Sequence, residues 1–162
     1  MPKAELDAFD RRIIAALQQD GRLSNVELAD RVGLSASPCL RRVRRLEAAG
    51  VIRGYRASLD RARLGLGFTA FVALRIEGHR DERTMAVEEA IRAMPEVVAC
   101  WLVSGEADFI LEVVLPDLSH YERLLLGKLA RLPGIRDIRT SFALREVKQR
   151  APLPLPEPGL GA

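Results

Sequence analysis

Between Ser24 and Ala49 two short helix-forming stretches flank a tight turn, and that spacing limits the geometries open to them. The first stretch opens on Ser24 with Glu27 three residues later, a pair that satisfies free N–H groups at a helix start. Its apolar side is Val26, Leu28, Ala29 and Val32, and Gly33 lets the backbone reverse. A second helix starts near Ser35. At about 100° per residue, Ala36, Cys39, Leu40, Val43 and Leu46 share one side. Ser37, Pro38, Arg41 and Arg45 oppose them, with Arg42 and Arg44 flanking that face. An inward stripe backed by cationic side chains suits a helix that meets phosphate. A solvated surface helix is the plainer alternative. Against it, four arginines in five residues without interleaved acids gain little from pairing along the helix.

Asp7 to Gln19 reads as a preceding helix, capped by Asp7, with Asp10 near its positive end and Phe9, Ile13, Ile14 and Leu17 inward. Three helices with a tight turn before the last make a helix-turn-helix, whose last helix enters the major groove with its N-terminal residues at the bases. The expected DNA-contacting set is Ser35, Ser37, Pro38, Arg41, Arg42, Arg44 and Arg45. Arg41 is the first choice for a base edge, and Arg42, Arg44 and Arg45 for phosphates. Val51 to Leu59 alternates well enough to be a connecting strand, from which Arg53, Tyr55 and Arg56 either touch backbone phosphates or do not.

The net charge of +3 is unevenly held. Residues 1–60 carry 11 Lys+Arg against 8 Asp+Glu, and residues 61–162 carry 14 of each. An anion-binding module joined to a neutral one is the simplest reading. Cys39 and Cys100 lie far apart in apolar stretches and are expected as buried thiols; no spacing suggests a metal or other cofactor. No apolar run approaches the length of a bilayer span, so a cytoplasmic protein is expected.

Arg61 to Gly67 reads as a linker. Beyond it, the expected elements are a strand at Phe68–Glu77, a helix at Asp81–Met94, and strands at Val97–Val103 and Phe109–Leu115. A helix at Asp117–Leu132 and a strand at Ile135–Val147 follow. Met94-Pro95-Glu96-Val97 and Leu132-Pro133-Gly134-Ile135 end the two helices alike. The fold class is therefore α+β, a three-helix domain (1–60) and a ferredoxin-like βαββαβ domain (68–149). The strands are too apolar for a sheet covered on one face only. A second copy, in a symmetric homodimer, is the expected cover; a monomer with an apolar surface is the alternative. Residues 150–162, rich in Pro, Gly and Leu, read as a flexible tail.

The sequence resembles the Lrp/AsnC family of feast/famine regulators. Leu6-Asp7, Asp10 and Gly21-Arg22-Leu23-Ser24 carry the likeness, as do Val32-Gly33-Leu34-Ser35, Ser37-Pro38-Cys39-Leu40 and Arg42-Val43-Arg44-Arg45-Leu46-Glu47. So do Leu102-Val103-Ser104-Gly105 with Asp108, Pro116-Asp117, Tyr121, Arg131-Leu132-Pro133-Gly134, Thr140 and Glu146-Val147-Lys148-Gln149. The resemblance implies an amino-acid-responsive regulator of promoter DNA, and dimers that assemble further, often to octamers, with a free amino acid bound between them. It places the effector at the Gly105-Glu106-Ala107-Asp108 turn and the strand around Thr140, Ser141 and Phe142. Gly105 would let a carboxylate approach backbone N–H groups, Asp108 would accept an ammonium group, and Leu102 would line an apolar wall. On the residues alone an ordinary hairpin connection is the favoured reading of the turn, and the resemblance reverses that preference. Leucine is the expected effector. A ligand-independent nucleoid-organising protein is the competing reading. An enzyme is disfavoured, because no nucleophile–base pair, metal cluster or phosphate loop is visible.

Overall fold

The computed structural model describes residues 5–78, 81–149 and 151–155, and the side chains of 81–83 are not described. The chain forms two compact units. One comprises residues 1–58 and 148–162, the other residues 59–147.

In the first unit, α1 (Ala8–Gln19), α2 (Asn25–Val32) and α3 (Ala36–Ala48) are set by their caps. Asp7 and Asp10 form one reciprocal capping box, Ser24 and Glu27 another, and Gly33 ends α2 in the left-handed region at φ 74°. Ile13, Ala16, Leu28, Ala29, Val32, Cys39 and Leu46 make the core. Leu40 and Ala36, expected inward, are exposed, so α3 buries a narrower stripe than the sequence suggests.

The expected strand at Val51–Leu59 is absent. The segment turns at Val51–Ile52 and then runs irregularly. An extended segment is a strand only when another lies alongside to take its hydrogen bonds. Here the polar tip of its aromatic residue finds a local partner instead: Tyr55 Oη donates to Glu47 at 3.1 Å.

The second unit begins before the expected linker ends. Residues Asp60–Leu66 form a folded turn, with Leu66 N donating to the Arg61 carbonyl at 2.8 Å. Arg61 binds Glu112 at 2.8 Å. Strands β1 (Phe68–Ile76), β2 (Val97–Leu102), β3 (Phe109–Leu115) and β4 (Ile135–Phe142) form one antiparallel sheet in the order β2-β3-β1-β4. With α4 (Asp81–Arg92) and α5 (Leu118–Gly127) this is the expected βαββαβ order. Ala70, Val72, Leu74, Phe109, Leu111 and Val113 alternate onto the face that meets Val87 and Ile91 of α4 and Tyr121 and Leu124 of α5.

Three boundaries move for local reasons. The helix α4 stops at Arg92 rather than Met94, as the residue before Pro95 disfavours helical backbone. The helix α5 stops at Gly127, and the 3-10 turn Leu129–Arg131 then aims Leu129 fully into the core. Strand β4 ends at Phe142, opposite Ala70, and one further bond, from Ala143 N to the Thr69 carbonyl at 3.0 Å, closes its pairing with β1. Cys39 is buried as expected, but Cys100 is exposed: β2 is an edge strand, covered on one side only.

Replacing Leu111 by Ala should destabilise the second unit by about 3 kcal/mol, the cost of a cavity at a fully buried site. Chemical denaturation measures this; a loss under 1 kcal/mol would contradict the core assignment.

Candidate functional site

The first unit presents α3. Its entry is fixed by Asn25 at the start of α2, whose Nδ2 donates to the Ala36 carbonyl at 2.8 Å. Ser35 caps α3 geometrically but makes no side-chain capping bond, and Ser35 and Ser37 are exposed beside the helix's free N–H groups. Pro38 is half-buried.

The four arginines divide into two pairs. Arg42 Nη1 donates to Asp10 Oδ1 at 2.9 Å and to Asp7 Oδ2 at 2.6 Å. Arg45 Nη2 donates to the other oxygen of Asp10. Asp10 is 1% exposed, whereas the side chains of Arg42 and Arg45 are 26% and 58% exposed. The acids that were missing along α3 come from α1, more than 30 residues earlier. Phe9 carries the guanidinium groups of Arg12 and Arg42 over its ring, each 5.4 Å from the centroid. Arg41 and Arg44 are exposed and, among the described residues, make no ion pair.

In the second unit, the β2–β3 turn holds Gly105 at φ 119°, with open space where a side chain would begin. Glu106 is exposed and accepts from Arg139 Nη1 of β4 at 3.1 Å. The Asp108 carboxylate accepts the Ile76 N–H at 2.8 Å, while Asp108 N donates to the Leu74 carbonyl at 2.9 Å. Asp108 thus extends the β1–β3 ladder past Phe109 and anchors the turn. Leu102 is 62% exposed and lines a groove of about 380 Å³ between α4 and β2, beside Cys100, Glu88 and Arg92.

Thr140, Ser141 and Phe142 lie elsewhere on the sheet. They pair with Val72, Phe71 and Ala70, whereas the turn adjoins Leu74 and Ile76. Thr140 shares the helix-side face with Val72 and hydrogen-bonds the Tyr121 hydroxyl. Phe142 packs with Phe68 and Tyr121, ring centroids 5.3 and 5.5 Å away. Ser141 shares the opposite face with Phe71. Within one chain the turn and this cluster are therefore two places, and among the described residues Arg139 links β4 to the turn by reaching Glu106. The parts that sequence reasoning missed are Arg139 and the aromatic surroundings of Thr140. The strand parity that groups them was legible, but the register that selects them was not.

A helix-turn-helix unit joined in one chain to an antiparallel sheet unit with an open glycine turn defines a DNA-binding regulator with a separate ligand-binding domain. Residues 6–53 match the winged helix-turn-helix DNA-binding family and residues 69–153 match the Lrp/AsnC ligand binding domain. The leucine-responsive regulatory protein of Rhizobium meliloti is 44% identical over 146 residues, covering 90% of this chain and 94% of that protein. The protein of the same name from Escherichia coli is 45% identical over 148 residues, covering 91% and 90%. A Neisseria meningitidis transcriptional regulator, solved as a complex with L-Met, superposes with a TM-score of 0.88 at 39% identity, covering 93% and 97%. The chain belongs to the Lrp/AsnC family of transcriptional regulators, which is not a family of enzymes. Among the described residues no helix is long and apolar enough to cross a membrane.

Asp10→Ala should lower the stability of the first unit by about 2–3 kcal/mol, since it removes the buried carboxylate that joins α1 to α3, takes the partner from Arg45 and leaves Arg42 with Asp7 alone. Thermal unfolding measures it; an unchanged midpoint would show the pairs to be incidental. The Asp7 carboxyl is held below its ordinary value of 3.8, chiefly by the Asp10 N–H and then by Arg42. Its stabilisation is full above that value and is lost as pH falls through the depressed one. Asp7→Asn should therefore flatten the acid limb of the unfolding curve below about pH 4.

Proposed function

We propose that this protein binds promoter DNA through the first half of α3 and changes that binding when a free amino acid occupies the ligand domain. The observation that carries the reading is the division of the arginines. Arg42 and Arg45 are engaged by Asp10, which leaves Arg41 and Arg44, with Ser35, Ser37 and Pro38, as the outward surface. Arg41, one turn into the helix, reads a base edge; Arg44 binds phosphate; and Arg45, more than half exposed, adds to the local field. Arg42 acts on DNA through its hold on α1 rather than by direct contact.

The effector takes its carboxylate to the N–H groups of the Gly105 turn and its ammonium group to the Glu106–Asp108 acids. Leu102 supplies apolar wall. Thr140, Ser141 and Phe142 contribute from a neighbouring subunit or from the rim, since one chain does not bring them to the turn. Relatives named for leucine, and a neighbour solved with L-Met, favour an apolar amino acid. Phe71, Ala73, Ala99, Trp101 and Ile110 share the sheet face that the core does not use. Trp101 is 48% and Phe71 44% exposed there, which supports a face-to-face homodimer. Two reading helices then meet successive turns of promoter DNA, and dimers assemble to octamers or similar. A regulator of this kind works in the cytoplasm, where its promoters and amino acids are.

Arg41→Ala should weaken specific binding more than nonspecific binding, while Arg44→Ala weakens both and lowers the salt slope by about 1. Equal effects on every duplex would sink the assignment. Titration calorimetry with the twenty amino acids, run beside DNA affinity with and without each, tests the whole reading. Binding of leucine or methionine with a shift in DNA affinity is expected. DNA binding that ignores all twenty would favour the nucleoid-organising alternative. Asp108→Asn keeps an acceptor for the Ile76 N–H but removes the charge, and should weaken the amino acid about tenfold or more.

A further inference from the structure

Residues 148–162 are grouped with the helix-turn-helix unit although they follow β4 in sequence. The described part, Ala151-Pro152-Leu153-Pro154-Leu155, was expected as a flexible tail. It is instead seated on α1. Leu153 N donates to Gln18 Oε1 at 2.6 Å, and Gln18 Nε2 donates back to the Leu153 carbonyl at 3.2 Å. Leu155 is partly buried against the core of Ile13, Leu28 and Leu46. Arg150 and residues 156–162 lie outside the described residues.

The chemistry of this contact is that of peptide recognition. Pro152 and Pro154 have no N–H, so Leu153 carries the one backbone donor between Pro152 and Pro154, and the Gln18 amide pairs both of its polar groups. Alternating prolines hold their neighbours extended, which lowers the entropy lost on docking. Leu155, two residues on, enters the core on the same side.

We propose that residues 151–155 are a docked strap, received by Gln18 and the end of α1, which gives the DNA-reading unit a second covalent tie to the ligand unit. The first tie is the chain crossing at Ser58–Leu59, and the second is the crossing at Val147–Lys148, five residues beyond the end of β4 at Phe142. A head joined at one point turns freely, whereas a head joined at two is restrained by whatever moves β4. The coupling arm of this inference rests on the amino-acid response proposed above; the docking arm does not.

Two measurements test it on a variant ended after Gln149. Hydrogen exchange at Ala16–Gln19 should be faster than in the full chain and should slow again on adding a synthetic peptide of residues 150–156. Gln18→Ala, which favours helix and so preserves α1, should weaken that peptide about tenfold, the loss of two ordinary hydrogen bonds. A peptide that leaves exchange unchanged, or binds the Gln18→Ala form equally, overturns the docking. In the second measurement the shortened protein should bind the amino acid by calorimetry as the full chain does, yet show a smaller change in DNA affinity. An undiminished change overturns the coupling. A full chain that binds no amino acid would instead defeat the effector reading and leave the peptide result standing.

Discussion

The Asp10 carboxylate sits almost wholly out of water at the start of α1, and α3 is arranged around it. Its desolvation is offset from three directions: the Asp7 N–H at 3.2 Å, Arg42 and Arg45. The helix start adds a favourable field for the negative charge. One acid therefore caps α1, ties α1 to α3, and fixes which way α3 turns its remaining side chains. The rotation that brings Arg42 and Arg45 to Asp10 leaves Arg41 and Arg44 in solvent. Packing alone does not set that angle, since Cys39 and Leu46 are the only fully buried side chains of α3. The ion pairs complete what a two-residue stripe leaves open.

Formal charge thus overstates the cationic surface of the reading helix. Counting Arg41, Arg42, Arg44 and Arg45 gives four; Asp7 and Asp10 offset Arg42 and Arg45, which leaves Arg41 and Arg44 with no ion pair among the described residues. This suits a binder that must read sequence. A helix with every guanidinium free binds any phosphate backbone strongly, and its discrimination falls as the nonspecific share grows.

Much of this was legible beforehand, where a rule acts over three or four residues. Ser24 with Glu27 and Gly33 located α2, and alternating Val72, Leu74, Leu111 and Val113 located the sheet and its buried face. Failures came where a distant partner decides. Val51–Leu59 alternates like a strand but has no strand beside it in the chain. Cys100 sits in an apolar run, yet its strand is at the sheet edge. Nothing near Arg42 in the sequence shows that Asp7 and Asp10 hold its guanidinium group. That Asp108 also accepts the Ile76 N–H of β1 could not be read from the turn. In each case the local pattern was right and the long-range register, which no local rule contains, chose the role.

The same register separates the two halves of the expected effector site. Strand β4 lies next to β1, and the β2–β3 turn adjoins the far end of β1, so Thr140 and Gly105 are set apart by the pairing itself. Among the described residues Arg139, one residue before Thr140 and on the other face, reaches the turn through Glu106. On the effector reading proposed above, a carboxylate or ammonium group at the turn would meet that ion pair, which Arg139 links to β4. Exposed ion pairs of this kind contribute little to stability, so exchanging one for a ligand contact costs little. The Glu106–Arg139 pair can therefore be exchanged while Asp108 still ties the turn to β1.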